Sequence, residues 1–488
     1  MAAGITRPED GILVPDRAAA RGWAAGEVFR TAAPLILSSG AGAIKLFCDR
    51  LMLTWHSDVS MVAALSGGMA AFLLASPFLG ISAYASSFVS QFRGAGRETK
   101  IGGCIRQSLL ISIASGLVVA LLGWGLSSLF AHCGHPRDLV AQETRYFLSL
   151  TCGSVLTLSA VSLSCFWIGR GRAWTVVAVN IGGLLLCVGL NRLLIFGVDG
   201  VVPALGIAGA AASTLTVDGL KAALFLALFL GTTDRARTGR FFDPALAYRM
   251  LRFGLGNGVQ LLLGIGAVAA FQLLVGGYGT DANGAAVASA SGIAFSVASL
   301  AGIPLLGMGT AVSLLVAGRL GEGNVRQARR TVESARRLCT LYAALVGAAF
   351  LLFPAHLVAF FHRDGGLSPE TVRLACSFLA LATLPLAADS LSIPYGGAIR
   401  GAGDTGFAVK VMATTGCGLF IVPCFVAFFA GAGAFALWGV AALSAFSTAL
   451  LYRRRYRQGR WESLRLIDGG GGDAPAAPAS SPAWGNNI

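Results

Sequence analysis

The strongest constraint on the fold is a stretch that occurs twice, at an offset of 227 residues. Residues 76–96 and 303–323 each carry a proline inside an apolar segment, so that Pro77 corresponds to Pro304. Each copy ends in a Gly-x-Gly pair with basic residues close by. This arrangement is typical of a membrane span that meets the cytoplasm. The chain is therefore predicted to be a duplication of a unit of roughly 230 residues.

Composition indicates a membrane protein. A mean hydropathy of +0.72, with 55% hydrophobic and 12% charged residues, does not fit a soluble domain of 488 residues, whose surface needs more polar cover. The 65 glycines suit membrane helices whose backbones approach closely. The net charge of +14 lies mostly in short loops of one predicted membrane face, so we expect no nucleic-acid partner.

Twelve apolar segments are long enough to cross a bilayer, six in each half of the chain. They lie at about 31–55, 60–90, 107–131, 145–169, 174–198, 207–231, 253–277, 285–317, 338–361, 371–399, 407–430 and 434–452. The predicted fold is an all-α polytopic membrane protein with twelve transmembrane helices in two pseudo-symmetric six-helix lobes.

Arginine and lysine are distributed unequally between alternate loops. One side carries most of them, and the positive-inside rule places that side and both termini in the cytoplasm. We expect a multi-pass monomer in the lipid bilayer of a bacterial inner membrane. The predicted division is a cytosolic N-terminal tail (1–24), an N-lobe (25–231), a cytoplasmic linker (232–252), a C-lobe (253–455) and a cytosolic, largely disordered tail (456–488).

Nothing in the sequence indicates an enzyme. Most of the ten cysteines fall in or beside apolar spans without CxxC spacing, and we interpret them as small core residues. His132 and His135 flank Cys133 and could hold a metal, but without a further pair of ligands the segment is interpreted as a solvated turn. No nucleotide-binding or hydrolase motif stands in a strand and helix context. We expect no enzymatic activity, metal or cofactor.

Ionisable side chains inside the spans are the remaining candidates, because each costs roughly 2.5–3.5 kcal/mol to insert. Lys45 and Asp49 in the first span are four residues apart, so they share a helix face, and Asp218 and Lys221 in the sixth span are three apart. Each of these two pairs could be an internal ion pair that serves assembly, or part of a transport site. Asp389 in the tenth span has no basic residue within one helical turn. A lone carboxyl near mid-bilayer suits a proton-coupled carrier, because it favours its neutral form until water or a cation reaches it.

Several short motifs together resemble the multidrug and toxic compound extrusion (MATE) family. They are Pro34 with Asp49, Gly94-Ala95-Gly96, Asn180 with the run at 205–211, and Arg400-Gly401-Ala402-Gly403-Asp404-Thr405. The resemblance covers about residues 25–455. It implies a two-lobe antiporter with twelve helices that exports organic, often cationic, compounds against an inward flow of protons or sodium ions.

The family's functional residues match this chain only in part. Asp49 matches the first-span aspartate proposed in the family to take up the proton, and Asp389 matches the tenth-span aspartate of one branch. Gly264 stands where that branch has a seventh-span glutamate, and Cys187 and Asn191 stand where the other branch has Asn and Asp in the fifth span. Since sodium needs several oxygen ligands while a proton needs one carboxyl, the missing carboxylates favour protons as the coupling ion.

The resemblance also implies alternating access, in which the two lobes open a central cavity to each side in turn. We expect Asp49 and Asp389 to take up the coupling proton or cation. The expected substrate cavity residues are Phe271, Gln272 and Phe295. The expected secondary polar site consists of Lys45, Asn180, Asn191, Asp218 and Gln260.

Two other classes of membrane protein are alternatives to this antiporter. A flippase for lipid-linked sugars, from the same wider superfamily, would need a basic cavity for pyrophosphate, which Lys45, Arg50 and Lys221 could supply. Net cavity charge separates the two transporters, because an acidic cavity suits an organic cation and a basic one suits a lipid phosphate. A membrane-embedded enzyme would need reactive groups gathered at one depth, and none is found.

Overall fold

The structure is a computed structural model that describes residues 17–198, 203–232, 242–278, 282–359 and 368–467. Within these ranges the chain forms helices and no β-strand, and up to twelve segments are long and apolar enough to span a membrane. We number them α1 (Arg17–His56), α2 (Asp58–Gly94), α3 (Glu98–Leu126), α4 (Arg137–Cys152 with Ser154–Gly169), α5 (Ala173–Phe196), α6 (Ile207–Leu230), α7 (Pro244–Gly277), α8 (Ala282–Gly321), α9 (Val325–Leu352), α10 (Pro369–Ala402), α11 (Thr405–Phe429) and α12 (Ala434–Arg457). The predicted twelve-helix fold is confirmed.

The helices extend beyond the apolar segments at the arginine-rich ends. The third and ninth spans are predicted from about residues 107 and 338, whereas α3 starts at Glu98 and α9 at Val325. Hydropathy detects the part of a helix that lies in lipid, while backbone hydrogen bonding continues into water. Asn324 stabilises the extended start of α9, because its side-chain oxygen accepts a hydrogen bond from Gln327 N at 3.0 Å.

The ends of the chain and the loop between the halves are only partly described. Of the predicted N-terminal tail, residues 1–16 lie outside the described ranges, and α1 begins at Arg17. The predicted linker includes residues 233–241, which are also outside them. α7 then begins at Pro244, where the Asp243 carboxylate accepts hydrogen bonds from Ala245 N and Leu246 N, both at 3.1 Å.

Two helices contain irregular turns. α4 bends by 41° at its break, where Gly153 lies against the side chain of Leu215. α11 has a π-helical centre, Ala413–Ile421, in which each amide reaches one residue further back than in an α-helix. Ser444 of α12 donates a hydrogen bond to Thr415 O in this segment at 2.9 Å, which stabilises a carbonyl that the widened turn leaves less well paired.

Glycines set the contact between the lobes α1–α6 and α7–α12. Gly94 of α2 lies against the backbone of Gly318 in α8, and Gly321 lies against the backbone of Gln91. A Cβ at Gly94 or Gly321 would collide with a backbone oxygen of the facing helix. The Gly-x-Gly ends of the two sequence repeats therefore form a close backbone contact between the two lobes, with one lobe's repeat against the other's.

We call the membrane face with the arginine-rich loops the basic side. The contact between the lobes runs along the basic-side halves of their central helices. Gly80 packs on Gly258, Ser90 Oγ donates to Leu314 O at 2.7 Å, and Tyr84 OH donates to Arg400 O at 2.5 Å. The lobes are thus closed against each other on the basic side.

The segment after α12 adds to this closure. Trp461 is 0% exposed and stacks on Tyr456 with ring centroids 5.1 Å apart. Gln91 of the N-lobe, also 0% exposed, accepts hydrogen bonds through Oε1 from Leu466 N at 2.7 Å and Ile467 N at 3.1 Å. The predicted tail from residue 456 is therefore ordered and packed as far as Ile467, and residues 468–488 lie outside the described ranges.

Candidate transport site

Asp49 of α1 lies inside the N-lobe, and both of its carboxylate oxygens have partners. It is 5% exposed, and Asn191 Nδ2 of α5 donates to Asp49 Oδ1 at 2.5 Å. Cys187 Sγ lies 3.7 Å from the same oxygen. Lys45 Nζ lies 3.4 Å from Asp49 Oδ2. The structure thus brings together four of the residues singled out in the sequence.

α6 completes this group of side chains. Lys45 Nζ donates to Thr214 Oγ1 at 3.0 Å, and Ser213 Oγ donates to Asn191 Oδ1. We call Lys45, Asp49, Cys187, Asn191, Ser213 and Thr214 the N-lobe polar cluster. Each of its main polar groups has a partner within the lobe, as buried polar groups require.

A second ion pair lies beside the N-lobe polar cluster. Lys221 Nζ is 2.8 Å from Asp218 Oδ1, and Thr157 Oγ1 of α4 donates to Asp218 Oδ2 at 2.7 Å. Asp218 is near enough to act electrostatically on Lys45. Both ion pairs considered in the sequence are therefore present. The two carboxylates and two ammonium groups of these pairs sum to zero charge when all are ionised.

Asp389 of α10 differs from both N-lobe carboxylates. It lies deep in the C-lobe but keeps part of its surface accessible. Its hydrogen bond is donated by Ser392 Oγ to Oδ1 at 3.1 Å, one turn further along the same helix. No lysine or arginine in the described part of the chain forms an ion pair with Asp389. A proton or cation that bound Asp389 would therefore displace no lysine or arginine of the described chain.

Asn180 stands apart from the N-lobe polar cluster. Its Nδ2 donates to Ser38 Oγ of α1 at 2.7 Å. It lies 11 residues before Asn191 on α5, which corresponds to about 16 Å along the helix. The sequence groups Asn180 with Asn191, whereas the structure places them at different depths, so Asn180 links α5 to α1 near Pro34.

Phe271 and Phe295 lie in the core of the C-lobe. Phe271 is 4% exposed, and its ring centroid lies 6.2 Å from Phe295, 5.9 Å from Phe420 and 5.4 Å from Trp438. The prediction placed Phe271 on the substrate cavity, whereas in this conformation it packs against α8, α11 and α12. Phe295 keeps a partly exposed edge. An apolar residue in a membrane helix faces protein, lipid or cavity, and sequence alone does not separate these three.

The two glutamines of α7 have different surroundings. Gln260 Nε2 donates to Tyr452 OH of α12 at 3.1 Å, while its Oε1 is buried without a hydrogen-bond partner among the described residues. Gln272 is exposed. Gln260 therefore stabilises contact within the C-lobe and retains one free acceptor.

Glu143 is a buried carboxylate outside the predicted spans. It is 0% exposed, its Oε1 accepts a hydrogen bond from Ser66 Oγ, and its Oε2 lies 3.0 Å from His135 Nδ1. The fourth span is predicted from about residue 145, so Glu143 lies just outside the predicted spans and is not among the predicted intramembrane charges. The sequence feature that points to Glu143 is an acidic residue within one helical turn of a predicted span boundary.

The His132 to His135 segment forms a turn on the side opposite to the basic side. His132 Nδ1 lies 3.1 Å from Ser128 O, and His135 is bound to Glu143. Within the described ranges, no three His, Cys, Asp or Glu side chains are placed to hold a metal ion together. All ten cysteines lie in those ranges and are unpaired.

An apolar cavity of about 570 Å³ lies in the half of the N-lobe opposite to the basic side, at the edge next to α7. Its walls are α2, α3 and α4, and Leu262 of α7 contributes from the C-lobe. Pro77 and Phe78 lie at its α2 wall. The cavity is large enough for the apolar part of a drug-sized compound.

The sequence profile of the MatE family matches residues 34–193 and 257–449 of this chain. The chain belongs to the MatE (MATE) family. The two matched regions fall in the two lobes, as expected for a duplicated transporter. The protein is a multi-pass membrane transporter and not an enzyme.

Two curated bacterial members of the MATE family illustrate the similarity. The chain is 28% identical to the multidrug resistance protein NorM of Burkholderia vietnamiensis over 437 residues, covering 88% of this chain and 92% of NorM. It is 26% identical to the multidrug resistance protein PmpM of Pseudomonas aeruginosa, covering 78% of this chain and 79% of PmpM.

Solved structures of MATE proteins share the fold. The eukaryotic MATE transporter AtDTX14 aligns with a TM-score of 0.77 at 20% identity, over 91% of this chain and 97% of its own. A MATE transporter described as outward-facing aligns with a TM-score of 0.79 at 18% identity, over 90% and 97%. At these identities the likeness establishes the fold.

Proposed function

We propose that this protein is a proton-driven antiporter that exports organic compounds, cationic or amphipathic in character, by alternating access. Relatives named as multidrug resistance proteins support export of foreign compounds. The apolar cavity of about 570 Å³ in the N-lobe, which Leu262 of the C-lobe also lines, offers a binding surface for such compounds. The coupling ion, the substrate and the coupling residue are parts of this proposal.

The observation that carries the proposal is the state of Asp389. It is the intramembrane carboxyl with no cationic partner in the described chain, and it keeps an accessible surface deep in the C-lobe. A proton needs only this one carboxyl, whereas sodium needs several oxygen ligands. Ser392 Oγ is a single additional oxygen beside it. These features favour a proton as the coupling ion at Asp389.

The arrangement of the lobes supports alternating access. The lobes are closed on the basic side through glycine contacts, and the apolar cavity of the N-lobe, with Leu262 of the C-lobe at its edge, lies towards the opposite side. If the basic side is cytoplasmic, as the positive-inside rule favours, this conformation faces outward. Both described ends of the chain then lie in the cytoplasm and the membrane is the bacterial inner membrane. Opening the basic side requires separation of Gly94 from Gly318 and of Gly321 from Gln91.

The alternative of a flippase for lipid-linked sugars is not favoured. It requires free basic groups in the cavity for pyrophosphate. Lys45 is held by Asp49 at 3.4 Å and Lys221 by Asp218 at 2.8 Å, so neither ammonium group is free to bind an anion. Arg50 is exposed next to α4 rather than joined to these two groups.

The test uses purified protein in liposomes, a fluorescent organic cation, and proton and sodium gradients imposed separately. We expect the proton gradient to drive dye transport and the sodium gradient to have little effect. Asp389→Asn should reduce proton-driven transport by at least about tenfold, because the amide cannot exchange a proton. Asp58→Asn is the matched control, since Asp58 is an exposed carboxylate at the start of α2.

Transport of no cation under either gradient by folded protein would contradict drug export. Equal loss of activity in Asp389→Asn and Asp58→Asn would contradict a special role for Asp389. If Asp49→Asn abolished transport while Asp389→Asn did not, the coupling site would move to the N-lobe.

A further inference from the structure

We propose that the Lys45 ammonium group is a tethered cation that occupies the carboxylate site of the N-lobe, so that Asp49 binds no ion from solution while the pair is intact. This inference rests on the proposed function and concerns which ions the carrier can use. It makes Lys45 a positioning residue that sets ion selectivity through Asp49.

The geometry of the N-lobe polar cluster supports this assignment. Lys45 Nζ lies between Asp49 Oδ2 at 3.4 Å and Thr214 Oγ1 at 3.0 Å, so it joins oxygens from α1 and α6. Asn191 and Cys187 of α5 cover the other carboxylate oxygen. A dissolved cation that binds between α1, α5 and α6 would use these same oxygens. The ammonium group already stands among them.

The charges of the surrounding side chains also support occupation of the site by the Lys45 ammonium group. The charged side chains of the two ion pairs are Lys45, Asp49, Asp218 and Lys221, which sum to zero, while Arg50 lies on the exposed face of α1. A sodium ion entering beside these two neutral pairs would add an uncompensated charge inside the membrane, which is costly. Loss of the lysine charge reverses this balance, because Asp49 then needs a proton or another cation to neutralise its carboxylate.

The oxygen ligands that remain without the Lys45 ammonium group indicate which ion the site would bind. Without Lys45, the site offers the Asp49 carboxylate and the Thr214 hydroxyl, with Asn191 and Ser213 next to them. Hard oxygen ligands with one negative charge suit a small monovalent cation such as Na⁺. The tethered lysine thus makes the N-lobe insensitive to sodium and leaves ion coupling to Asp389.

The experiment measures binding of radioactive sodium to purified protein, together with the effect of sodium on the thermal unfolding temperature. Lys45→Met removes the charge at similar length, and Lys45→Arg keeps it. Lys410→Met is the matched control, since Lys410 is exposed near the start of α11. We expect Lys45→Met to bind sodium at least about tenfold more tightly than the wild type, with a sodium-dependent rise in unfolding temperature. Lys45→Arg and Lys410→Met should behave as the wild type does.

The double variant Lys45→Met/Asp49→Asn is the second readout, because it restores neutrality and keeps the protein testable if the single variant folds poorly. It should unfold at a higher temperature than Lys45→Met without sodium and show no sodium response. Sodium binding by the wild type that requires Asp49, or a folded Lys45→Met that gains no sodium binding, would overturn the proposal. Proton-driven transport by the wild type is scored separately, so this failure is distinguishable from failure of the antiporter proposal.

Discussion

Asn191 of α5 donates a hydrogen bond to Asp49 of α1 at 2.5 Å, while its own side-chain oxygen accepts one from Ser213. One amide therefore connects three helices and fixes the direction of a carboxylate that is 5% exposed. The resemblance to the family predicted that Asn191 stands at an altered ion site. The structure adds the reason for an amide there, since it can donate to one partner and accept from the other.

Asn191→Ala should destabilise the protein more than the same change at Asn180. Loss of the amide removes the shortest hydrogen bond to Asp49 Oδ1 and the side-chain acceptor of Ser213, which leaves these groups with the longer contact to Cys187 and with Ala210 O. Weakening of such buried hydrogen bonds costs about 1–3 kcal/mol. Asn180 lies on the same helix and makes one hydrogen bond, to Ser38. Thermal unfolding in detergent gives the comparison. Equal shifts for the two variants would show that Asn191 does not support Asp49.

Gly94→Ala should destabilise the conformation that is closed on the basic side. The added methyl group collides with the Gly318 carbonyl, so the lobes must shift, at a cost of about 1–3 kcal/mol. Gly103→Ala on α3 is the control, because a Cβ there meets no atom within 4 Å. A slight gain of stability is expected at Gly103 from helix propensity, of about 0.5–1 kcal/mol. Unfolding temperatures that fall equally for both would argue against a close contact at Gly94.

The repeats, the helix number and the two ion pairs could be predicted because each depends on local pattern. Hydropathy marks lipid-spanning segments, and spacing of three or four residues places Lys45 beside Asp49 and Lys221 beside Asp218. The Gly-x-Gly ends are visible in the sequence. That they contact each other across the two lobes depends on tertiary packing, which the sequence pattern does not show. A sequence repeat predicts equivalent positions and leaves open what each position touches.

The substrate residues were harder to predict for a related reason. Phe271 is an aromatic residue of the kind that lines substrate cavities, but in the structure it packs in the core against Phe420 and Trp438. These partners are more than 140 residues away in sequence, so local pattern does not reveal the contact. Glu143 was missed because the boundary of the fourth span is uncertain by a few residues. The surroundings of both side chains depend on neighbouring helices, which hydropathy along one segment does not reveal.

Gln91→Leu should weaken attachment of the segment after α12. Gln91 Oε1 is the acceptor for Leu466 N and Ile467 N, and leucine leaves both buried amides unpaired. We expect about 2–4 kcal/mol of local destabilisation and faster proteolysis after Arg457. Gln458→Leu is the control, because Gln458 is exposed. Unchanged proteolysis in Gln91→Leu would mean that Trp461 and the Arg329–Glu462 pair hold the segment without Gln91.

The contact between His135 and Glu143 predicts that a second substitution at Glu143 offsets the destabilisation caused by His135→Ala. His135→Ala leaves a fully buried carboxylate with Ser66 as its remaining side-chain partner, and we expect destabilisation of ~1–2 kcal/mol, reduced because His135 is 39% exposed. Glu143→Gln removes the charge while keeping a side-chain oxygen for Ser66. In the double variant His135→Ala/Glu143→Gln, the cost of His135→Ala should therefore largely disappear. His132→Ala is the control, since the His132 ring lies by Ser128 O on an exposed turn. Additive shifts in unfolding temperature across the cycle would show that the two residues do not stabilise each other.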